Sequence, residues 1–316
     1  MKTKFDANDL NLVSLAKEYS NEKKARKLFE SLRWPGGKPI CPHCGFEETY
    51  KLKSKPDSKT KLRAGVYCCA ACRKPFTATV GTVFENSHVH ISKILMAIFI
   101  LCSSKKSVSA LQLSRMLKTT YRTAWFLAHR IRFAMATDLE KAPLLNNTCE
   151  ADETWVGGAG NIASRNVRQT IVALIVERDG QARTRVIPSV TAKNVGMFLN
   201  ECVSKDATVN TDEHVAYKIA LRNQKRHDRV NHSRYEYARH NPDGTVSHIN
   251  TGESFFSLLK RGVFGAWHCV SREHLPKYAS EFEYRWNTRK ETDGKRMANF
   301  VPLIEGKRLM YHQPAN

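Results

Sequence analysis

The sequence predicts an α/β protein of several domains, and three observations carry that prediction. Two Cys-x-x-Cys pairs stand near the N-terminus, separated by 24 residues. Residues 91–136 then read as helix throughout, with apolar positions at helical spacing. Beyond residue 147 the texture changes to short β-rich runs interleaved with helical ones, the pattern of a mixed sheet with helices packed on it. A length of 316 residues with a 41% hydrophobic share allows more than one core.

Residues 8–33 place leucines, alanines and Phe29 at helical spacing, so two short helices are expected, the second starting around Ser20-Asn21. Trp34-Pro-Gly-Gly ends them and closes an N-terminal helical segment, 1–37. In 38–85, Cys41, Cys44, Cys69 and Cys72 supply four thiolates in two matched turns, which is what a tetrahedral structural zinc requires. The alternative is unligated core cysteines, and Cys68 competes with Cys69 but would give a Cys-x-x-x-Cys spacing. The gap exceeds the roughly 15–20 residues of a usual zinc ribbon; the extra polar length suits a β-hairpin with a basic tip. All four sulfurs are committed, so this zinc is structural rather than catalytic. His43 is expected to face outward, and Cys102, Cys149, Cys202 and Cys269 to be small core residues.

Residues 86–145 form a helical domain whose last two helices, SVSALQLSRML and TTYRTAWFLAHRIRFAMA, make a helix-turn-helix pattern. Ser107 and either Thr119 or Thr120 are the candidate N-caps. Arg122, Arg130 and Arg132 lie on the second of these helices, where a solvated helix face is the ordinary reading. The domain boundary falls near 140–147. After it, 149–158, 169–178 and 182–191 read as strands, with Asp179-Gly180 as a hairpin turn. Residues 192–203 read as a helix and 206–212 as a strand ending in an acid. Polar 222–249 reads as a loop or irregular insertion, and 250–261 and 272–288 as closing helices.

Lys and Arg number 51 against 30 Asp and Glu, a net charge of +21. Such an excess favours a polyanionic partner, most often nucleic acid. No run of 18 apolar residues exists and the N-terminus has no apolar signal core, so no membrane partner and a cytosolic location are expected. Nine cysteines in a cytosolic chain favour metal over disulfides. In the last domain, Asp152 and Glu153 sit in one strand, Asp212 and Glu213 end another, and Glu253 begins a helix. Carboxylates from separate elements can converge at a sheet edge to hold two divalent cations for phosphodiester chemistry. The ordinary alternative pairs each acid with a nearby Lys or Arg. An acid among apolar strand residues is costly to bury, which singles out Asp152 and Asp212. Lys260 stands seven positions after Glu253, followed by Arg261. That separation is about two turns and about 10 Å on one helix face, too far for an ordinary i,i+4 ion pair.

CPHCG at 41–45, YCCAACRKPFTATVGTVFE at 67–85, ADETWVGG at 151–158, NTDEHVAY at 210–217 and HINTGESFFSLLKRGVFGAWHCVSREHLPKYASEFEYRWNTR at 248–289 together give a resemblance covering nearly the whole chain. The chain resembles bacterial insertion-sequence transposases that join an N-terminal zinc ribbon to an ISXO-type DDE domain. The resemblance implies an RNase H-like catalytic domain at 146–316. It also implies Asp152, Asp212 and Glu253 as the three acids, binding two Mg²⁺ or Mn²⁺ per active site. Lys260 fills the place of a lysine found seven residues after the third acid, and with Arg261 is expected on phosphate. The resemblance further implies that the zinc ribbon and the helix-turn-helix hold the terminal inverted repeats, with Arg122, Arg130 and Arg132 as candidate DNA contacts. Some relatives carry Asn or His as the third residue, which keeps Asn250 as an alternative to Glu253, and Gly252 departs from a position often apolar in relatives. The implied activity is cleavage at transposon ends followed by strand transfer. The partners are double-stranded DNA of ends and target, with a homodimer or higher oligomer on paired ends, at the nucleoid of a bacterial cytoplasm. Two other functions remain open: a DNA-binding regulator or domesticated protein without strand transfer, and a nuclease that hydrolyses without joining.

Overall fold

A computed structural model describes residues 6–53, 62–157 and 169–311. The expected basic hairpin tip and Gly158 of the ADETWVGG stretch lie outside the described residues. The chain divides into two compact units, one of 1–104, 108–135 and 291–316, the other of 105–107 and 136–290. Residues 291–316, read from the sequence as part of the last domain, are thus in the first unit.

In the first unit, helix α1 (Leu12–Glu18) starts with a reciprocal capping box between Asn11 and Ser14. Helix α2 (Glu22–Arg33) is capped by Asn21. Strands β1 (Thr49–Lys51), β2 (Tyr67–Cys69) and β3 (Pro75–Phe76) form a small antiparallel sheet. Helix α3 (Ile91–Ser103) buries eight of its thirteen residues, so it is apolar nearly all round and sits centrally. Helix α4 (Ala110–Leu117) and helix α5 (Tyr121–Met135) make the helix-turn-helix pair, joined through Lys118 in the left-handed region at φ 47°. The caps are Ser109, which accepts from the Gln112 N–H, and Thr120, which accepts from the Thr123 N–H. The expected cap Ser107 lies two residues too early, at φ 73°.

The second unit is built on a five-stranded sheet. Its strands are β4 (Cys149–Val156), β5 (Thr170–Glu177), β6 (Ala182–Ile187), β7 (Thr208–Thr211) and β8 (Arg226–Arg229). Their order is β6-β5-β4-β7-β8; β4, β5 and β6 run antiparallel, while β7 and β8 run parallel to β4 and to each other. Strand alternation divides the core in two. Cys149, Ala151, Ala173 and Ile175 meet α6 (Ala192–Cys202) and α7 (Val215–Ala220) on one face. Val156, Val172, Leu174 and Val176 meet α8 (Asn250–Gly262) and α9 (Leu275–Asn287) on the other. Residues 222–249 are more ordered than the sequence suggests. They contain β8 and a hairpin of β9 (Ala238–His240) and β10 (Val246–His248). Arg-His-Asp-Arg in β8 gave no apolar alternation because an edge strand needs only backbone pairing on one side. No helix among the described residues is long and apolar enough to cross a membrane.

Candidate functional site: an acidic site and a four-cysteine centre

In the first unit, Cys41 Sγ lies 3.7 Å from Cys72 Sγ, and Cys44 Sγ 3.6 Å from Cys69 Sγ. All four sulfurs fall within 4.8 Å of one another. Ligands at about 2.3 Å in a tetrahedron are about 3.8 Å apart, so these thiols fit zinc. The antiparallel pairing of β1 with β2 brings the two turns together. Cys68 instead turns its Sγ to the Arg73 carbonyl, which settles the choice for Cys69. His43 is exposed, as expected. Cys102, Cys149 and Cys202 are buried, but Cys269 is exposed and not a core residue.

The three candidate DNA arginines separate. Arg122 is exposed at the start of α5, its guanidinium 4.4 Å over the Tyr311 ring. Arg130 is buried, donates to the Glu85 carbonyl at 3.1 Å and stacks on Phe126. Arg132 is 1% exposed and donates to the Val108 carbonyl. Arg132 is therefore committed to packing within the helical unit, whereas Arg130, though bonded to Glu85, lines the same surface cavity as Arg122 and Phe126. Eight and ten residues on from Arg122, the same helix needs buried positions, and the long aliphatic stems of arginine fill them.

In the second unit, Asp152 lies on the central strand, on the face toward α8. Parallel pairing sets Cys149 beside Val209 and Glu150 beside Asn210. Carried two residues further, that register puts Asp212 beside Asp152, just past the end of β7. Glu253 arrives from the first turn of α8, with its side chain 50% exposed. The close approach of α8 to the sheet runs through Gly252, where an added Cβ would sit 3.7 Å from Asp152 Cβ and from Leu174 Cδ2. Alanine fits that space. Burial pushes the Asp152 carboxyl up to about 7; the Glu153 N–H, donating to Oδ1 at 2.8 Å, opposes this, while the charges of Glu153, Asp212 and Glu253 reinforce it.

Each aspartate has a glutamate beside it, and the structure gives those glutamates other work. Glu153 points to the opposite face, where the buried Tyr217 hydroxyl donates to its Oε2 at 2.6 Å. Glu213 accepts the N–H groups of His232 and Ser233 at 3.0 and 3.1 Å, and also the Ser233 hydroxyl. These bonds, the Ser233 hydroxyl first, hold the Glu213 carboxyl down at about 2. The Asp212 carboxylate accepts only a local bond, from the His214 N–H at 3.0 Å, among its described contacts. His232 Nδ1 lies 3.9 Å from Glu253 Oε1, a neighbour the sequence did not single out. Asn250 is exposed at the helix start, and Lys260 and Arg261 are exposed near its end, with Arg261 bonded to the Ser257 hydroxyl. His248, two residues before α8, is drawn in, its Nδ1 3.1 Å from Glu150 Oε1.

An oxygen-only donor set fits hard divalent cations such as Mg²⁺ or Mn²⁺. The carboxylates of Asp152, Asp212 and Glu253 are not gathered as tightly as the sulfurs. Ions about 3.5–4 Å apart do not require them to be.

Comparison with known proteins adds to this geometry. Residues 144–287 match an ISXO2-like transposase domain, and residues 20–75 match a transposase zinc-ribbon domain. A curated relative from Halobacterium salinarum, described as an uncharacterized protein in transposable element ISH50, is 26% identical over 290 residues, covering 85% of this chain and 92% of its own. A solved intasome of simian T-cell lymphotropic virus, in complex with a PP2A regulatory subunit, overlaps 61% of this chain and 65% of its own at 13% identity. Its TM-score is 0.29, too low to carry an argument.

Proposed function

We propose that this chain, a transposase with a zinc ribbon and an ISXO2-like domain, cuts DNA at transposon ends and joins the freed ends to target DNA. The observation that carries the proposal is the convergence of Asp152, Asp212 and Glu253 from two neighbouring strands and the helix packed on them. Burial raises the Asp152 carboxyl, and the charges of Glu153, Asp212 and Glu253 add to that rise. Carboxylates held together against repulsion make sense when cations complete the site. Divalent ions bound there would lower the pKa of an attacking hydroxyl and offset charge on the leaving oxygen.

The chain's own residues have distinct parts. Asp152 and Asp212 present oxygens from a rigid sheet, and Glu253 adds one from the helix. Lys260, two turns along α8, meets a backbone phosphate beyond the scissile bond, with Arg261 beside it. Arg122 at the exposed start of the second helix of the helix-turn-helix reads or holds end DNA, the place where such helices enter the major groove. The net charge of +21 supplies a sequence-independent share of affinity, so binding weakens steeply with salt. Assembly of two copies on paired ends is part of the same proposal.

Nicking and joining of labelled end DNA in Mg²⁺ or Mn²⁺ test the proposal. Asp152→Ala, Asp212→Ala and Glu253→Ala should each abolish cutting while end binding persists; Asn250→Ala should cut normally. Cutting by Asp152→Ala would remove that residue from the site. A wild-type chain that binds ends but never cuts would instead support the DNA-binding regulator.

A further inference from the structure

We propose that Glu150 is a positioning residue for the acidic site: a buried carboxylate on the central strand that seats the helix bearing Glu253 against Asp152. The inference rests on the reading of Asp152, Asp212 and Glu253 as the reacting acids. The first turn of a helix leaves backbone N–H groups without partners. Helix α8 begins after Ile249, which has no side chain able to cap it. Glu150 does this from another element. Its Oε2 accepts the N–H groups of Thr251 and Gly252 at 2.8 and 3.1 Å, and its Oε1 accepts the Thr251 hydroxyl at 2.9 Å. The Glu150 side chain is 0% exposed.

A buried carboxylate also needs a counter-charge. Arg178, at the end of β5, donates from Nε to Glu150 Oε1 at 2.8 Å. Its other two nitrogens donate to the carbonyls of Val246 and His248, at 2.7 and 3.1 Å, in the strand that leads into α8. The junction between β10 and α8 is therefore held from both sides by one ion pair. Glu150 and Asp152 share a face of β4, about 7 Å apart along the strand. The held amides lie one and two residues before Glu253. A slip of α8 by one residue would turn Glu253 by about 100° and shift it about 1.5 Å, so the cap fixes which acid faces Asp152. Glutamine in this place would turn an amide NH₂ group toward N–H donors and could not satisfy both sides.

The test compares the full-length chain with Glu150→Gln, Thr251→Val, Asp152→Ala and Glu253→Ala. Nicking of end DNA is followed against Mn²⁺ concentration, end-DNA affinity is measured without divalent ions, and hydrogen exchange is read at residues 250–254. Glu150→Gln should nick at least about tenfold more slowly, need more Mn²⁺ for half-maximal rate, bind ends as the parent does, and exchange faster at Thr251 and Gly252. Thr251→Val should shift the same way by less. If Asp152→Ala and Glu253→Ala are inactive but Glu150→Gln keeps the parent rate and Mn²⁺ dependence, the positioning role is overturned and the site stands. If those two alanine variants still nick, the site reading itself fails. Should Glu150→Gln not fold, Thr251→Val and the parent's exchange decide: unprotected Thr251 and Gly252 amides overturn the proposal.

Discussion

Asp152 and Glu153 differ by one position and have opposite environments, and the same holds for Asp212 and Glu213. Strand alternation sends Asp152 toward α8 and Glu153 toward the Tyr217 hydroxyl. Residues 232 and 233 claim Glu213. The Asp152 carboxyl stands at about 7, above its ordinary 3.8, so the folded state holds that proton more tightly than the unfolded chain. Its contribution therefore favours folding at low pH and is lost as pH rises from about 4 through about 7. Asp152→Asn should raise stability in a chelator at pH 8 by up to about 4 kcal/mol, with the gain vanishing near pH 4. Thermal melting across pH checks this. Mg²⁺ should reverse the order at pH 8 by stabilising the parent more than the variant.

At the scale of elements, α8 brings its acid to the sheet because its apolar side is committed. Phe255, Phe256 and Leu259 pack on Val172, Leu174 and Val176. Phe255→Ala should cost about 3–5 kcal/mol, read as a lower denaturant midpoint with unchanged zinc content. Helix α5 shows the converse, where charge does not mean surface. Arg132→Ala should lower the melting temperature, whereas Arg122→Ala should leave it near the parent's and weaken end binding with a smaller salt slope. Equal loss of stability in both variants would contradict that division. The helical and apolar strands were legible because their periodicity is written in side chains. Strand β8 was not, since its four polar residues belong to the sheet through backbone pairing with β7. Helix α10 (Asp293–Phe300) was also missed. Its seat against Ala7–Asp9 depends on Gly294, where a Cβ would lie 2.0 Å from the Ala7 carbonyl oxygen.

At the scale of the whole molecule, the small sheet of β1, β2 and β3 has strands of three, three and two residues, too short to hold without a further tie. A zinc ion on Cys41, Cys44, Cys69 and Cys72 would supply it, and binding energy at such sites is folding energy. Cys41→Ser or Cys72→Ser should lose zinc by mass spectrometry and weaken end binding, while a strong chelator should lower the melting temperature of the parent alone. Four matched cysteines, the helix-turn-helix, the chain order of the main strands and the acidic pairs at 152–153 and 212–213 could be read from the sequence, because each depends on spacing along the chain or on a local pattern. Tertiary structure alone decided which member of each acid pair faces the site, which arginines are buried, and that Glu150 caps a helix that begins a hundred residues later. Those depend on which face of an element meets which neighbour, and a chain position carries no record of a partner so distant from it.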